Sequence, residues 1–387
     1  MTAQNNYFLV EGKYNTARVF SQKRDETAVE QIAAICSNAA YKNSQIRIMP
    51  DYHPGLGSVI GFTATLENRI IPNTVGVDIN CGMHCSRLGK VEINFRLLDQ
   101  FIRSSIPYGF KHNQKISPRI PSDLKEEIVR VSKKLGLDAD NQLKGIGSLG
   151  GGNHFIEINQ AENGDKYLVI HSGSRNFGLQ ICNYHQKQAY QYCRQQYKKA
   201  ADLELKVEYD LNKSNSFLEG KLAAEYYQDM KVAQKYADLN RKIMAERILE
   251  FLELEALASF QTRHNYINFE DHIIRKGAVS AHQDEKILIP LNMRDGSILA
   301  RGLGNPEWNY SAPHGAGRLL SRTQAKKEIP LKEFKKSMRD VYSSSVKKST
   351  IDEAPSAYKL AEEILLAVKE SIEVIEVLKP LYNFKAS

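Results

Sequence analysis

The sequence has few cysteines, and their arrangement excludes the usual disulfide scaffold. Five occur among 387 residues, an odd number, and no two of them form a Cys-x-x-Cys pair. Such a pattern argues against a disulfide framework and favours roles in metal binding or in the core. The cysteines are Cys36, Cys81, Cys85, Cys182 and Cys193.

Long apolar runs, repeats and flexible linkers are also missing. No uninterrupted apolar run approaches the roughly 20 residues that a helix needs to cross a bilayer. The first residues, "MTAQNNYFLVEGKYNTARVF", lack the apolar block followed by small residues that a secretory signal requires. We therefore expect a cytoplasmic protein without membrane segments, folded as a single domain over residues 1–387.

Two familiar nucleotide-handling motifs are absent as well. The chain has no G-x-x-x-x-G-K-[ST] phosphate loop and no K-x-D-G motif of the kind that lysine nucleotidyl transferases use. The net charge is +8, from 53 Lys and Arg against 45 Asp and Glu, and it is spread thinly along the chain. This excess is compatible with a polyanionic partner but does not by itself select RNA.

The pattern of apolar residues predicts an α+β fold. Short strands are expected up to about residue 90, at "IRIMP", "SVIGFTATL", "NTVGVDI" and "HCSRL", and later at "KILIPL" and "SILARG". Helices are expected at "LLDQFIRSSI" and at "SDLKEEIVRVSKKLG", the second ending at Gly136. A mostly helical insertion over 178–260 and a helical C-terminal tail over 356–380 complete the prediction.

One predicted hairpin bears on function. "HFIEINQAENGDKYLVIHSGSR" reads as two strands around Asn163-Gly164, which is a strong hairpin signal. His154 begins the first strand and His171 ends the second, so antiparallel pairing would bring the two imidazoles to the same end of the ladder. This arrangement could build a shared or binuclear site.

Several residues could hold a metal ion. Asp78 and Cys81 follow a short apolar run in "TVGVDINCGMH", where a carboxylate and a thiolate can point at one ion. When this segment is taken alone, a turn aspartate beside a buried structural cysteine is the favoured interpretation. Adding His154, His171 and His264 favours a metal site, and ligand softness alone would suggest zinc for its cysteine and histidine members.

The residues after His171 suggest a place for an anion. Ser172, Ser174 and Arg175 follow that histidine within four positions, and such a cluster suits an oxyanion or a phosphate.

"SAPHGAGRLLSR" carries the candidate nucleophile, His314. Small residues follow it, and the pattern from Arg318 onward predicts a helix, whose N-terminal amides would bind an anion. A neutral imidazole there could attack phosphorus and leave again, with divalent metal neutralising the phosphate oxygens. The alternative is a tight connection from loop to helix in which the histidine only caps or packs.

The remaining histidines are expected to be structural or exposed on the surface. One of them, His53, lies with Asp51 in the Gly/Pro loop "MPDYHPGLGS". The full set is His53, His84, His112, His185, His272 and His282.

Taken together, these segments resemble the RtcB family of RNA-splicing ligases. The resemblance is carried, in family order, by "MPDYHPGLGSVIG", "VGVDINCGM", "SLGGGNHFIEI", "VIHSGSRNFG", "HNY", "RKGAVSA", "ILIP", "HGAGRLLSRTQAK" and "IDEAPSAY". It spans nearly the whole chain. It implies a mixed α+β unit built around two sheets.

The resemblance also implies an activity. The family joins an RNA 3′-phosphate or 2′,3′-cyclic phosphate end to a 5′-hydroxyl end, using GTP and manganese. His314 would carry GMP as a histidine-guanylate, which would pass to the RNA 3′-phosphate before the 5′-hydroxyl displaces it. Precursor tRNA halves and broken RNA are both open as substrates, an archease-type activator could be needed, and a monomer is the default.

The resemblance assigns residues to the two manganese ions and to the nucleotide. One ion would be held by Asp78, Cys81 and His154, and the other by Cys81, His171 and His264. The contacts to the guanylate would come from Asn153, His154, Phe155, Ile156, Glu157, His264, Asn265, Pro290, Leu291, Asn292, Met293, Ser297, His314, Gly315, Ala316, Gly317 and Lys385.

Two departures from the family pattern stand out. Asn80 occupies a position where glycine is usual, and "PLNMRDGS" replaces a run of small residues beside the expected nucleotide pocket. A binuclear metal-dependent phosphoesterase that hydrolyses RNA ends is the alternative enzyme, but it should lack the nucleophilic histidine or the small residues after it. A non-catalytic RNA-binding relative should lack the intact ligand set.

Overall fold

The computed structural model describes residues 6–205, 207, 209 and 211–386. Both helices and strands are present, which confirms the α+β class. The α helices of this part of the chain are α1 (Glu26–Cys36), α2 (Phe95–Ser105), α3 (Ser122–Leu135), α4 (Ala139–Lys144), α5 (Arg175–Asp202), α6 (Gly220–Leu252), α7 (Arg322–Glu328), α8 (Leu331–Ser337) and α9 (Ala361–Ala367).

The strands are mostly short. They are β1 (Phe8–Glu11), β2 (Thr16–Val19), β3 (Ile46–His53), β4 (Ile60–Thr65), β5 (Arg69–Ile70), β6 (Gly82–Gly89), β7 (Phe155–Gln160), β8 (Lys166–Ser172), β9 (Leu218–Glu219), β10 (Ala258–Arg263), β11 (Asn265–Asn268), β12 (Ile273–Lys276), β13 (Ala278–Ser280), β14 (Lys286–Asn292), β15 (Gly296–Gly302), β16 (Ser311–Pro313) and β17 (Ile372–Lys385).

Two large sheets organise these strands. One has six strands in the order β1-β2-β3-β4-β12-β11, and the other has seven in the order β10-β6-β8-β7-β17-β15-β14. Only β2 and β3 pair in parallel; the other neighbours in both sheets are antiparallel. Two-stranded ribbons, β13-β16 and β5-β9, lie beside them. The ribbon β13-β16 leads directly into the candidate nucleophile His314.

The hairpin predicted around Asn163-Gly164 is confirmed. Strands β7 and β8 pair in a continuous antiparallel register that places Phe155 opposite His171. The turn closes with a hydrogen bond from the amide of Gly164 to the carbonyl of Ala161, and Gly164 has a φ of +90°. Glycine accommodates this left-handed backbone without the penalty that a side chain would bring.

Helices α5 and α6 occupy most of the region predicted to be a helical insertion. Helix α6 packs on strands β6 and β8 of the seven-stranded sheet. Its fully buried Arg241 donates hydrogen bonds to the carbonyl oxygens of Asn80 and Ser172. The helix thereby fixes two backbone segments that lie next to the candidate metal ligands.

The prediction of a helical tail over 356–380 is wrong for most of its length. Helix α9 ends at Ala367, and the chain then forms β17, which pairs with β15 and β7. The segment "IEVIEVL" is rich in β-branched residues, which fit a pleated surface better than a helix. Pro380 is tolerated because the register of β17 shifts between Pro380 and Tyr382.

The strand predicted at "NTVGVDI" is also not formed. This segment contains the end of a 3₁₀ helix at Pro72–Thr74 and then a loop that leads to Asp78. Gly76 has a φ of +98°, which breaks an extended strand. Asp78 lies on this loop, and Cys81 lies at its end, directly before the strand β6.

No helix in the described residues is long and apolar enough to cross a membrane.

Candidate active site

The predicted metal ligands meet at one end of four neighbouring strands. In the order β10-β6-β8-β7 all neighbours are antiparallel, so starts and ends of strands alternate along the same edge. His264 follows β10, Cys81 precedes β6, His171 lies near the end of β8, and His154 precedes β7. Side chains from four distant segments therefore converge without any helix or loop having to reach across the sheet.

The five side chains form two overlapping groups. Asp78, Cys81 and His154 make one group, and Cys81, His171 and His264 make the other, with ligand atoms within 4.8 Å of one another in each. The Cys81 Sγ lies 3.4 Å from His154 Nε2 and 3.2 Å from His171 Nε2. Thiolate, imidazole and carboxylate are the donors of transition-metal sites, and the shared thiolate would bridge two ions. The residues present therefore fit a binuclear centre.

Burial keeps two of the imidazoles neutral. Desolvation, followed by the charges of neighbouring histidines, holds the pKa of His171 and that of His264 well below the ordinary value. The two Nε2 atoms lie 3.4 Å apart, where two protonated rings would repel. Neutral imidazole is the form that binds metal, so these rings are ready to act as ligands at neutral pH.

Asp78 and Cys81 are shifted in opposite directions. Burial opposes ionisation of Asp78, but the hydrogen bond and charge of His154 outweigh it, so the pKa of this carboxyl lies below its usual value. Burial and then the negative charge of Asp78 raise the pKa of the Cys81 thiol well above its usual value. A bound cation would favour the thiolate in this position.

Surrounding groups orient these ligands. The Nδ1 of His154 lies 2.8 Å from the carbonyl oxygen of Leu149, which leaves Nε2 facing Cys81 and Asp78. The amide of Ser174 donates to Oδ1 of Asp78 at 3.0 Å. Such contacts fix the tautomer and the direction of metal ligands.

The serine and arginine cluster expected to bind an anion is already engaged with protein groups. Ser172 Oγ donates to the carbonyl oxygen of Leu149, and Arg175 donates to Ser148 and Gly109. Neither Ser172 nor Arg175 lines the cavity described below. Their side chains support the backbone around the metal ligands.

His314 lies next to this centre and is held by a buried carboxylate. Its Nδ1 is 2.7 Å from Oδ2 of Asp51, a fully buried residue of β3, and its ring centroid is 4.9 Å from that of His264. A proton on Nδ1 donated to Asp51 leaves the lone pair of Nε2 free. His314 thus has the tautomer and the partner that a nucleophilic imidazole requires.

The backbone after His314 passes very close to β3. A Cβ atom on Gly317, which has a φ of +73°, would lie 2.5 Å from the carbonyl oxygen of Asp51, so only glycine fits there. The helix expected from Arg318 onward begins later, at Arg322, because Ser321 caps it together with the side chain of Gln324. The prediction of a helix N-terminal anion site at residues 315–317 is therefore wrong.

A cavity opens beside His314 and collects most of the residues predicted to contact a guanylate. His171 also lines it, so the candidate metal centre borders the same space. The predicted residues that line it are Asn153, Phe155, Glu157, Pro290, Leu291, Asn292, Met293, His314, Gly315, Ala316, Gly317 and Lys385.

Five predicted contacts lie outside this lining. His154 and His264 belong to the metal groups, and Ile156 is buried in a hydrophobic cluster on the opposite face of β7. Asn265 donates to the carbonyl oxygen of Asp78 and accepts from the amide of Gly277. Ser297 is fully buried, and its hydroxyl has no hydrogen-bond partner within the described part of the chain.

A buried glutamate lies at one wall of the cavity. The side-chain amides of Asn383 and Asn159 donate to Glu157 at 2.6 and 3.2 Å. Burial raises the pKa of Glu157 to about 7, although these hydrogen bonds and Lys385 oppose the shift. Such a carboxyl can accept or donate a proton near neutral pH, so it can hydrogen-bond to polar atoms of a ligand in the cavity.

Basic side chains that line the cavity surround a second buried glutamate, Glu353, which lies behind them. Lys385 pairs with Glu353, and its Nζ lies 5.5 Å from the centre of the Phe155 ring. Arg322 Nη1 lies 2.9 Å from Glu353, and Arg318 also lines the cavity. These cations give the cavity a positive side that could face phosphate.

Sequence reasoning missed some of these residues. Asp51 was noticed only as a neighbour of His53, and no local pattern links it to His314, because the contact depends on pairing between distant segments. His53 lines the cavity, unlike the other histidines expected to be structural. Of those, His84, His112, His185 and His282 contact Ser86, Asn141, Asp229 and Asp271, and His272 is exposed.

Comparison with known proteins agrees with this geometry. The family model described as tRNA-splicing ligase RtcB matches residues 31–386. The RNA-splicing ligase RtcB of Escherichia coli K12 is 33% identical, covering 88% of this chain and 90% of its own length.

Archaeal proteins match over a similar extent. The tRNA-splicing ligase RtcB of Archaeoglobus fulgidus is 24% identical over 94% of this chain and 92% of its own. That of Nanoarchaeum equitans is 27% identical over 84% of each chain. With a family match from residue 31 to residue 386 and ligand groups at one sheet edge, the chain belongs to the RtcB family of RNA-splicing ligases.

Proposed function

We propose that this protein is a GTP-dependent RNA ligase that joins a 3′-phosphate or 2′,3′-cyclic phosphate end to a 5′-hydroxyl end. One observation carries the proposal: a buried carboxylate, Asp51, holds Nδ1 of His314 beside the candidate metal centre and at the edge of a cavity. The alternative phosphoesterase should lack this histidine or the small residues after it, and the chain keeps both.

In the first step, Nε2 of His314 attacks the α-phosphorus of GTP. A P–N bond forms, the bond between the α-phosphorus and the bridging oxygen breaks, and pyrophosphate leaves. The ring becomes positively charged as the bond forms, and the carboxylate of Asp51 stabilises that charge while it retains the Nδ1 proton. The product is GMP carried on His314.

In the later steps the GMP moves to RNA. An oxygen of the RNA 3′-phosphate attacks the phosphorus on His314 and frees the imidazole, which gives an RNA-(3′)pp(5′)G end. The 5′-hydroxyl of the second strand then attacks the 3′-phosphorus, and GMP departs as the new phosphodiester forms. A cyclic phosphate must first be opened by water to a 3′-phosphate.

The two ligand groups would hold two manganese ions. Asp78, Cys81 and His154 would bind one, and Cys81, His171 and His264 the other. Divalent ions supply neutralisation of phosphate oxygens and alignment of the attacking and leaving groups. The choice of manganese follows the family resemblance, because the cysteine and histidine donors alone would also suit zinc.

The cavity would hold the guanylate. Phe155, Pro290 and Met293 would contact the nucleotide through apolar surface, and Glu157 would read polar atoms of the base. Lys385 would place a positive charge near it. Asn292 already bonds to Asp295 at 2.7 Å, so the departure "PLNMRDGS" shapes this wall of the cavity.

The remaining expectations stay proposals. They are a single domain, a monomer in the cytoplasm, RNA ends from tRNA splicing or from damage as substrates, and an archease-type activator as a further partner.

The deciding experiment is labelling with α-³²P-GTP and manganese. The native protein should acquire an acid-labile, alkali-stable label, and His314→Ala should acquire none. A matched control is His272→Asn, which changes an exposed histidine with a φ of +55°, a conformation that asparagine tolerates. Equal labelling of His314→Ala, or none of the native protein, contradicts the proposal, and RNA dephosphorylation without label would support the phosphoesterase instead.

A further inference from the structure

A fully exposed aromatic side chain lies on the loop 107–113, beside the glycine segment that precedes His154. Phe110 is as exposed as a free side chain, at 103%. The amide of Gly109 donates to the carbonyl oxygen of Gly150 at 2.8 Å, and the amide of Leu149 donates to that of Pro107 at 2.8 Å. Two backbone hydrogen bonds therefore join the loop to the glycine segment.

Side-chain hydrogen bonds also hold the loop in place. Arg175 Nη2 donates to the carbonyl oxygen of Gly109 at 2.7 Å, and Asn113 Nδ2 donates to that of Ile146 at 2.9 Å. A large apolar ring displayed on a fixed loop loses little conformational freedom when it binds a partner.

The candidate active site is directly connected to this loop. The carbonyl oxygen of Leu149 lies 2.8 Å from Nδ1 of His154, a proposed metal ligand. Asn153, which lines the cavity, follows the three glycines at 150–152. An RNA strand whose end enters the cavity would pass over this glycine segment and come within reach of the loop.

The chain segment that contains Phe110 carries charge of one sign. Residues 101–121 contain four Lys and Arg and no Asp or Glu. Arg103 and Arg119 form ion pairs with residues elsewhere. Lys111 and Lys115 are exposed and form no ion pair among residues 6–205, 207, 209 and 211–386. An exposed ring followed by two exposed cations matches single-stranded nucleic acid, whose bases stack and whose phosphates are anionic.

We propose that Phe110 is a stacking platform for one nucleobase of the RNA strand whose end enters the active site, with Lys111 and Lys115 contacting its phosphates. The inference rests on the proposed function for the identity of the strand. A stacked aromatic ring accepts any base, so the contact would contribute affinity and direction without sequence preference.

The test measures binding of fluorescent single-stranded RNA by anisotropy, with one oligonucleotide ending in a 3′-phosphate and another in a 5′-hydroxyl. Phe110→Ala should weaken binding of one of them roughly tenfold, and Phe110→Trp should restore it. The matched control is Tyr197→Ala, an exposed aromatic on α5 that lies about 33 Å along the helix from Arg175. Lys111→Gln with Lys115→Gln should reduce the salt slope by roughly 1.4.

An abasic site scanned along the RNA identifies the stacked base. In native protein one position should lose affinity as much as Phe110→Ala does, and the variant should be insensitive to that same position. The platform is overturned if Phe110→Ala binds both oligonucleotides with native affinity, or if Tyr197→Ala loses as much affinity as Phe110→Ala. It is also overturned if the native protein does not bind RNA. Labelling with GTP needs no RNA and should be unchanged in Phe110→Ala, so failure of the proposed function is seen separately.

Discussion

Asp51 and His314 are 263 positions apart in the sequence, and their side chains lie 2.7 Å apart between Oδ2 and Nδ1. The other carboxylate oxygen of Asp51 is buried and has no hydrogen-bond partner among the described residues. Among the described residues, the hydrogen bond to His314 is therefore the one side-chain hydrogen bond that this carboxylate makes. The pair therefore gives His314 both an orientation and a counter-charge.

Replacing Asp51 with asparagine tests this role. The amide oxygen can still accept from Nδ1, but the negative charge that stabilises the ring after P–N bond formation is lost. We expect the rate of labelling by GTP to fall about 10²-fold or more, with little change in the melting temperature.

Asp284→Asn is the matched control for Asp51→Asn. It changes an exposed turn residue with a φ of +64°, which asparagine accepts, and should label at the native rate. Native labelling by Asp51→Asn would show that the carboxylate only packs against the histidine.

The sequence and the family resemblance predict that the candidate metal ligands converge, and the structure brings them together, whereas the contacts of their neighbours could not be predicted. His154 and His171 lie at the same open end of one hairpin, so a local turn signal was enough to bring them together. Asp51 and His314 meet because β16 packs against β3, and no spacing in the chain encodes that contact.

The C-terminal segment shows a second limit. Over a short stretch, its apolar residues fit both a helical and an extended period. The prediction of a helix there is therefore wrong for a reason that the local pattern does not reveal. Extension of the chain as β17 places Lys385 opposite Phe155 and Asn383 opposite Glu157. The position of Lys385 in the cavity therefore depends on a neighbouring strand that the local pattern does not reveal.

Cys81→Ala should remove the ligand that both metal groups share. We expect the manganese bound per chain after dialysis, measured by elemental analysis, to fall from about two ions to one or none, because loss of a bridging thiolate weakens both sites. Addition of a chelator should lower the melting temperature of the native protein more than that of the variant.

Cys85→Ala controls for the loss of a buried thiol. Cys85 lies on β6, the strand that directly follows Cys81, within a hydrophobic cluster, and it belongs to neither ligand group. The metal content of Cys85→Ala should equal that of the native protein. If Cys81→Ala retained the full metal content, the shared ligand would have to be another residue.

Glu157 should make stability depend on pH in a defined direction. Burial raises its pKa from 4.5 to about 7, so its contribution to stability is complete below pH 4.5 and is lost as pH rises through about 7. Relative to Glu157→Gln, the native protein should lose roughly 3 kcal/mol of unfolding free energy between pH 4.5 and pH 8. Denaturant unfolding of both proteins at several pH values measures this difference.

Glu162→Gln provides the comparison for that experiment, because Glu162 is exposed and lies in the turn of the same hairpin. Its unfolding free energy should follow the native pH dependence throughout. Parallel curves for Glu157→Gln and native protein would mean that Glu157 ionises as an ordinary carboxyl.

Asn80 stands where glycine is usual in the family, and its conformation shows how the turn is kept. It has a φ of +59°, and its side-chain amide donates to the carbonyl oxygen of Gln234 and to Asp238 at 2.8 and 2.9 Å. Asparagine tolerates this left-handed backbone, whereas alanine incurs about 1–2 kcal/mol of strain. Asn80→Gly and Asn80→Ala both lose the side-chain bonds, at about 1 kcal/mol, but only alanine adds the strain. Urea unfolding should therefore rank native above Asn80→Gly and Asn80→Gly above Asn80→Ala, and a reversed order of the two variants would refute the conformational explanation.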